Sequence, residues 1–309
     1  MGIVWILIGI VAALVILSIM LERQRHPIGK AERKGAPGKF AELSQGITYY
    51  RWHGPVRGPV LVAIHGLTTP SIVFDVIAGG LGAMGYRVLT YDLYGRGLSD
   101  APGGEQNRDF LLQQLDDLLE HQNLNEDLTL LGYSMGGSIA TAFTETQSHR
   151  VKRLILLATA GADMNESGFS RFCRRYPVIG DWVHNLIGAA RMRRAISAEA
   201  EASEVDGVKR AQRDQLGRRG FLPAVLSSRR GMLAETQKEA HQTIGRADVP
   251  VIAIWGEADD VIPISALGTI AQWNRNARQE TIPGAGHGMP YTHATAVIEK
   301  LRAILIEVD

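Results

Sequence analysis

The chain has 309 residues, of which 45% are hydrophobic and 21% charged, the balance of an ordinary globular protein with ample material for a core. Its formal net charge of +1 at pH 7 indicates no nucleic-acid partner, because such proteins usually carry a strongly basic surface. The single cysteine, Cys173, excludes an intramolecular disulfide framework and is interpreted as a small buried apolar residue.

The first predicted element is an apolar helix at the amino terminus. Residues 3–21 contain no charged side chain, and as a helix they would be about 28 Å long, close to the thickness of a bilayer's hydrocarbon layer. We therefore predict a transmembrane anchor over residues 1–22. A cleaved signal peptide is the alternative. It fits less well because no basic residue precedes the run, the run is long, and no A-x-A cleavage site follows.

The residues that flank this apolar run predict its orientation. No basic side chain precedes the run, whereas six follow it closely, namely Arg23, Arg25, Lys30, Arg33, Lys34 and Lys39. The positive-inside rule then predicts a single-pass membrane protein with its amino terminus outside and the rest of the chain in the cytoplasm. Residues 23–44 contain several prolines and glycines, and we expect them to form a basic juxtamembrane linker that would favour anionic lipid headgroups.

From residue 45 to residue 309, apolar strand-like runs alternate with amphipathic helical segments. This alternation predicts an α/β domain with a mostly parallel sheet flanked by helices. Two helices have a clear apolar face, one between residues 111 and 119 and the other between residues 297 and 305. The predicted strands span residues 46–52, 59–64, 87–91, 128–133, 153–159, 250–255 and 279–282.

The stretch LTLLGYSMGG, residues 128–137, runs an apolar strand directly into a G-x-S-x-G pattern. This pattern predicts a sharp turn from strand to helix that exposes Ser134 as a nucleophile. The flanking Gly132 and Gly136 would be required because a Cβ at either position would collide with the crossing backbone. The backbone N–H of Met135, at the start of the following helix, is then a candidate oxyanion donor.

Two further loops follow predicted strands. In the first, His65-Gly66, the glycine would let the backbone approach a ligand, so the N–H of Leu67 is the second candidate oxyanion donor. We interpret His65 as a structural residue rather than an acid or base. The second, residues 92–100, contains two glycines whose spacing fits neither a P-loop nor a dinucleotide fingerprint. We interpret it as a tight surface turn held by Asp92 and Ser99.

The last two strands are followed by a carboxylate and an imidazole. Residues 256–263 read GEADDVIP, and residues 284–287 read GAGH. A serine nucleophile needs a base, and the base needs an acid that sets its tautomer. The chain order Ser134, Asp259, His287 is the order expected when these groups stand at strand ends of one sheet.

With these motifs, residues 46–308 resemble the α/β-hydrolase superfamily. The resemblance rests on H-G at 65–66, DLYGRGLSD at 92–100, GYSMGG at 132–137, GEADDVIP at 256–263 and GAGH at 284–287. It implies Ser134 as nucleophile, His287 as base and Asp259 as acid, the last because the family's G-x-x-D-x-x-x-P spacing runs from Gly256 to Pro263. The alternative acids are Asp260, Glu257 and Asp163.

The resemblance also implies a helical cap over the site, at about residues 163–219. The segment is rich in arginine and contains the aromatic residues Phe169, Phe172, Tyr176 and Trp182. In one interpretation the apolar residues pack the cap on the body while the arginines face water. In the other, an apolar tunnel admits an acyl chain and the basic side meets a membrane surface.

The function that the resemblance implies is that of a serine hydrolase that cleaves a carboxylic ester without cofactor or metal. Serine at position 134 disfavours the dehalogenase and epoxide-hydrolase branches, which use aspartate there. We predict a lipidic ester, such as a monoacylglycerol or a lysophospholipid. Carbon–carbon bond hydrolysis, acyl transfer and an inactive membrane-tethered scaffold are the alternatives. The loop after His287 lacks the tryptophan usual in the carbon–carbon bond hydrolases.

Overall fold

The computed structural model describes residues 2–199 and 201–308, without the side chains of residues 306–308. Met1 and Asp309, at the ends of the predicted anchor and hydrolase domain, and Ala200, in the predicted cap, lie outside the described residues. The strands of the described part are β1 (Lys39–Leu43), β2 (Gly46–His53), β3 (Val60–Ile64), β4 (Arg87–Tyr91), β5 (Leu128–Tyr133), β6 (Val151–Leu157), β7 (Val251–Gly256) and β8 (Arg278–Ile282). Its helices are α1 (Gly2–Gln24), α2 (Lys30–Arg33), α3 (Asp75–Ala83), α4 (Arg108–His121), α5 (Met135–Thr146), α6 (Gly168–Arg175), α7 (Ile179–Ala198), α8 (Val208–Gln215), α9 (Phe221–Arg230), α10 (Lys238–Arg246), α11 (Ser265–Trp273), α12 (Met289–Thr292) and α13 (Ala294–Val308).

The strands form one sheet in the order β1-β2-β4-β3-β5-β6-β7-β8. The β1–β2 and β2–β4 pairs are antiparallel, and every other neighbouring pair is parallel. The predicted fold class, an α/β-hydrolase fold with a mostly parallel sheet flanked by helices, is therefore confirmed. Because the parallel strands all point the same way, the loops after β3, β5 and β7 emerge at one edge.

The central strands are buried on both faces, which is why they are almost wholly apolar. In β3, Val62 and Ile64 join the core beneath α4 and α5, whereas Leu61 and Ala63 join the core beneath α3 and α13. This alternation follows the two-residue period of a strand. The leucine face of α4 and the aliphatic face of α13 are buried as predicted.

The structure corrects the predicted linker, because residues 39–43 form the edge strand β1. It pairs with β2 in register from Lys39 opposite Tyr50 to Leu43 opposite Gly46. Only Ala41 of β1 is fully buried, while Lys39 and Glu42 are exposed. Because β1 is held mainly by main-chain hydrogen bonds to β2, its side chains do not show the alternation that would predict a strand from the sequence.

The rest of the predicted linker lies against the body and the cap. The N–H of His26 donates to the carbonyl of Gly217 at 3.0 Å, and the N–H of Arg219 donates to the carbonyl of His26 at 2.9 Å. Further along, the Arg33 guanidinium donates to the carboxylate of Asp100 at 2.6 Å. The segment between α1 and β1 is therefore docked on the folded domain rather than extended away from it.

The insertion between β6 and β7 is helical, as the resemblance implies, but it is longer than predicted. Helix α9 continues the cap to Arg230, beyond the predicted end near residue 219. Arg230 ties this helix to α7 through the carboxylate of Asp181 at 2.6 Å. Cys173 in α6 is fully buried, as expected. The next helix, α10, packs against α5 and so belongs to the body.

Helix α1 is long and apolar enough to cross a membrane, by length and composition alone, and it is largely exposed. A signal sequence near the amino terminus would satisfy the same criterion. Near its carboxyl end, α1 packs against the cap helix α7, and Ser18 is buried there. The cap is therefore held close to the end of the apolar helix.

Candidate active site

Ser134 stands at a sharp turn between β5 and α5. Its backbone is strained for a residue other than glycine, with φ 52° and ψ −118°. A Cβ added to Gly132 would lie 2.5 Å from the Cα of Gly137, and one added to Gly136 would run into the carbonyl of Ile64. The two glycines are thus required by close backbone approach, and the turn presents the Ser134 hydroxyl at the sheet edge.

The structure brings together the three residues that the sequence selected. The Ser134 hydroxyl lies 3.0 Å from Nε2 of His287, and Nδ1 of His287 lies 2.8 Å from Oδ2 of Asp259. The other carboxylate oxygen of Asp259 accepts the N–H groups of Val261 and Ile262, both at 2.8 Å. Because this carboxylate can only accept, the Nδ1 of His287 carries the hydrogen, which leaves Nε2 free to accept from Ser134.

The alternative acids lie elsewhere. Asp260 and Glu257 are exposed, and the Glu257 carboxylate accepts the hydroxyl of Thr281 at 2.9 Å. Asp163 accepts the hydroxyls of Thr269 at 2.9 Å and Ser265 at 3.2 Å. Asp259 is therefore the carboxylate whose geometry matches the predicted role.

The two candidate oxyanion donors flank Ser134. Within the described residues, the N–H groups of Leu67 and Met135 donate to no protein acceptor. Met135 begins α5, so the positive end of the helix dipole would strengthen the attraction of its N–H for an oxyanion. A Cβ on Gly66 would lie 3.2 Å from the Cβ of Ser134, so the loop that carries Leu67 runs directly beside the serine.

His65 is a structural residue, as the sequence indicated. Its Nε2 accepts the N–H of Leu93 at 2.9 Å, so its Nδ1 carries the hydrogen that is donated to the carbonyl of Gly66 at 2.7 Å. Complete burial lowers its pKa to about 3, so the ring is neutral at physiological pH. It thereby fixes the loop that precedes Leu67.

The turn at residues 92–100 is held by Asp92 and Ser99, as predicted, but it is buried rather than at the surface. The Asp92 carboxylate accepts from the backbone of Ser71 and of Leu98, both at 2.8 Å. Asp92 is 3% exposed, and Ser99 is 2% exposed. The polar composition of the loop suggested a surface position, but internal hydrogen bonds satisfy these groups instead.

Arg96, in the same turn, is a residue whose role sequence reasoning missed. It is 1% exposed, and burial lowers its pKa to about 9. Its Nε donates to the carbonyl of Leu67 at 2.9 Å, so it positions the oxyanion loop, and Nη2 reaches helix α9 of the cap. Its acceptors are the carbonyl oxygens of Leu67, Tyr94 and Ala224 and the side-chain oxygens of Gln106 and Ser228. The sequence feature that could have indicated this positioning role is the placement of Arg96 between Gly95 and Gly97 in a turn.

Tyr133 is a second residue that the sequence did not single out. Its hydroxyl donates to the carbonyl of His287 at 2.9 Å, and burial raises its pKa well above the ordinary value for tyrosine. The contact anchors the loop that carries the imidazole.

A cavity of about 460 Å³ contains Ser134 and His287. Its walls come from the oxyanion loop, from cap helices α6 to α9 and from the segments just before and after them. The apolar residues of these walls include Met164, Met192, Ile196, Leu216, Phe221 and Leu233. Among the described residues no group of three His, Cys, Asp or Glu side chains could hold a metal ion.

Residues 55–291 match the family described as serine aminopeptidase, S33 (Hydrolase_4). The chain therefore belongs to this family of α/β-hydrolases. The chain is similar to a pimeloyl-[acyl-carrier protein] methyl ester esterase of Aliivibrio salmonicida, with 25% identity over 82% of this chain and 95% of the relative. It is also similar to a haloalkane dehalogenase of Mycolicibacterium paratuberculosis, with 29% identity over 69% of this chain and 72% of the relative.

Among solved structures, the chain is similar in fold to an enol-lactonase from Burkholderia xenovorans LB400. The TM-score is 0.70 and the identity 21%, over 87% of this chain and 100% of the other. A thermophilic esterase from Thermogutta terrifontis superimposes with a TM-score of 0.67 and 20% identity, over 88% of this chain and 99% of the other. Identities this low support the fold and not a shared substrate.

Proposed function

We propose that this protein is a serine hydrolase that cleaves a carboxylic ester through an acyl-enzyme on Ser134. The observation that carries the proposal is the chain of hydrogen bonds from Ser134 to His287 to Asp259, at 3.0 and 2.8 Å. Beside it lie the N–H groups of Leu67 and Met135, which donate to no acceptor among the described residues. These are the groups that acyl transfer requires, with a nucleophile, a base of defined tautomer and two oxyanion donors.

The proposed reaction begins when the Ser134 oxygen attacks the ester carbonyl while Nε2 of His287 takes the hydroxyl proton. The N–H groups of Leu67 and Met135 stabilise the oxyanion, and Asp259 stabilises the imidazolium. His287 then returns the proton to the departing alcohol, which leaves the acyl group on Ser134. A water molecule, deprotonated by His287, releases the acid and regenerates the serine.

The apolar walls of the cavity support a lipidic ester, such as a monoacylglycerol or a lysophospholipid. Side chains of the cap and of the loop before it line the space beside the nucleophile, and Met192, Ile196 and Phe221 would contact an acyl chain. The name of one relative, a methyl ester esterase, agrees with ester chemistry.

A fluorophosphonate probe tests the proposal. We expect the wild-type protein to be labelled at Ser134, and Ser134→Ala to abolish labelling and lower kcat for glyceryl esters by about 10⁴-fold or more. Ser138→Ala is the matched control, because Ser138 lies one turn further along α5, is buried and is expected to take no part in the reaction. Labelling that persists in Ser134→Ala would place the nucleophile elsewhere.

We also propose that α1 anchors the enzyme in a membrane, with the catalytic domain in the cytoplasm. The docked segment around His26 and Arg33 would then hold the cap at the bilayer surface. Large apolar side chains are exposed on α6, on α7 and between them, and they support contact with a membrane. They are Phe172, Tyr176, Val178, Ile179 and Ile187. The arginines of the cap would add attraction to anionic headgroups.

Fractionation and protease protection test the anchor. We expect the full chain to resist carbonate extraction from membranes and to stay uncut when protease is added outside intact spheroplasts. The intact mass of the membrane-bound protein decides between an anchor and a cleaved signal peptide. Digestion from outside would overturn the orientation and leave the catalytic proposal untouched.

A further inference from the structure

A second cavity adjoins the one that contains Ser134. It measures about 420 Å³ and lies among the cap helices α6, α7 and α9, and we name it the cap chamber. The two cavities share part of their walls and are therefore adjacent. The shared lining residues are Ser167, Ser170, Met192, Ala195 and Arg229.

The cap chamber is cationic. Its described walls contain Arg191, Arg194 and Arg229, and neither its walls nor those of the catalytic cavity include an aspartate or glutamate among the residues that the structure describes. Arg191 and Arg194 are exposed and mark the solvent side of the chamber, whereas Arg229 lies at the boundary with the catalytic cavity. The side chain of Arg229 therefore lines both spaces.

Arg229 differs from its neighbour Arg230 in its partners. Arg230 donates to the carboxylate of Asp181 and the carbonyl of Cys173, both at 2.6 Å. Arg229 makes no hydrogen bond or ion pair with any residue in the described ranges 2–199 and 201–308. The carboxylate of Glu166 attracts it through space, but that group is already bound by Arg174 at 2.9 and 3.0 Å.

Arg229 is partly exposed, so its guanidinium keeps contact with water, but it has lost part of its hydration without gaining a hydrogen bond within the described residues. Burial lowers the pKa of Arg229, but arginine stays protonated in proteins, so the cost is not removed by loss of a proton. A planar, five-donor cation in such a position is suited to bind a carboxylate or a phosphate.

Other polar groups face the same space. The hydroxyls of Ser167 and Ser170 line both cavities, and His184, 3% exposed, lines the chamber with an Nδ1 that has no hydrogen-bond partner among the described residues. Met192 and Ala195 lie on the shared wall and would contact methylene groups between the two sites.

We propose that Arg229 binds an anionic group of the substrate, a carboxylate or a phosphate, while the scissile ester of the same molecule lies at Ser134. This inference rests on the proposed ester hydrolysis and narrows its substrate to an anionic ester. The anion could be the far end of a dicarboxylic acyl chain or the phosphate of a lysophospholipid headgroup.

Matched ester pairs test the proposal on the full chain in detergent. One pair is the mono-p-nitrophenyl ester of octanedioic acid and p-nitrophenyl octanoate; the other is octanoylglycerol phosphate and octanoylglycerol. For each pair, kcat/KM for the anionic ester is divided by kcat/KM for the neutral ester. In at least one pair we expect this ratio to fall about tenfold or more in Arg229→Gln, and to fall by less in Arg229→Lys. A fall only in the first pair identifies a carboxylate chain end, and a fall only in the second identifies a headgroup phosphate.

Arg193→Gln is the matched control. Arg193 lies between Arg191 and Arg194 in α7, is exposed, and lines neither cavity. It should keep the wild-type ratio, which shows that general attraction of anions to the cap is not the cause. An unchanged ratio in Arg229→Gln for both pairs, or an equal fall in Arg193→Gln, would overturn the proposal.

Thermal unfolding gives a readout that does not depend on turnover. Without ligand, Arg229→Gln should have a Tm close to that of the wild type, because Arg229 makes no hydrogen bond within the described residues; a clearly lower Tm would show a structural role and overturn the proposal. In the Ser134→Ala background, monomethyl octanedioate or octyl phosphate should raise the Tm when Arg229 is present and not in Ser134→Ala/Arg229→Gln. Should fluorophosphonate fail to label the wild type, ester hydrolysis is wrong, and these Tm shifts still decide whether Arg229 binds anions.

Discussion

The sheet edge that carries the catalytic residues and the cap that covers it differ in how their charged groups are satisfied. At the edge, Asp259 accepts three hydrogen bonds and Arg96 donates to five acceptors. In the cap, Arg229 has no hydrogen-bond partner among the described residues, and apolar side chains such as Phe172 and Ile179 are exposed.

This difference indicates that the two regions serve different purposes. The charged groups of the edge have their partners without any ligand, and the N–H groups of Leu67 and Met135 are already held where charge develops, as preorganised catalysis requires. The cap has groups that gain partners only from molecules that the chain does not supply. We therefore expect substitutions at the edge to act on chemistry and folding, and substitutions in the cap to act on substrate preference.

The largest expected effect is at the edge, in Asp259→Asn. The new amide keeps an oxygen for the N–H groups of Val261 and Ile262 but presents NH₂ to His287, which forces the hydrogen onto Nε2 and removes the base. We expect kcat for a glyceryl ester to fall about 10⁴-fold, with little change in the circular dichroism spectrum. Asp260→Asn is the control, because the side chain of Asp260 is exposed, and equal losses in both would leave the acid unassigned.

The next effect concerns stability and distinguishes the buried Arg96 from the partly exposed Arg229. Arg96→Gln would leave several buried acceptors unsatisfied, so we expect it to lower the free energy of unfolding by about 3 kcal/mol or more in urea titrations. Arg229→Gln should show no such loss, and exposed Arg57→Gln should stay within about 0.5 kcal/mol of the wild type. Similar losses at positions 96 and 229 would remove the contrast between edge and cap.

The smallest expected effect is a pH dependence of the cap through His184. Burial, and then the charge of Arg229, lower its pKa to about 4, although Asp181 acts in the opposite direction. The unfolded chain therefore binds a proton between about pH 6.5 and 4 that the folded chain does not, so stability falls as pH falls through this range. From pH 7.5 to 5.0, His184→Gln should lose about 2 kcal/mol less than the wild type. Exposed His149→Gln should lose as much as the wild type, and equal losses in all three would contradict the assignment.

Much of the body could be predicted from the sequence because its signals are local. The two-sided burial of the parallel strands requires continuous apolar runs, and the turn at Ser134 requires glycines at 132 and 136. The chain order of Ser134, Asp259 and His287 then follows from the order of the strand ends. Edge strand β1 was missed because its pairing with β2 depends on main-chain hydrogen bonds and leaves no pattern in its side chains.

By itself, the sequence therefore determined the fold class, the apolar amino-terminal helix and the three residues that meet at the sheet edge. Tertiary structure alone decided that the segment around His26 docks on the cap, that the turn holding Arg96 is buried, and that Arg229 lines two cavities without a hydrogen-bond partner among the described residues. The physical reason is that hydrophobic period and turn chemistry act over a few residues, whereas the partners of an arginine are set by distant elements. Arg96 and Arg229 are the same letter in the sequence, and only the packed structure tells them apart.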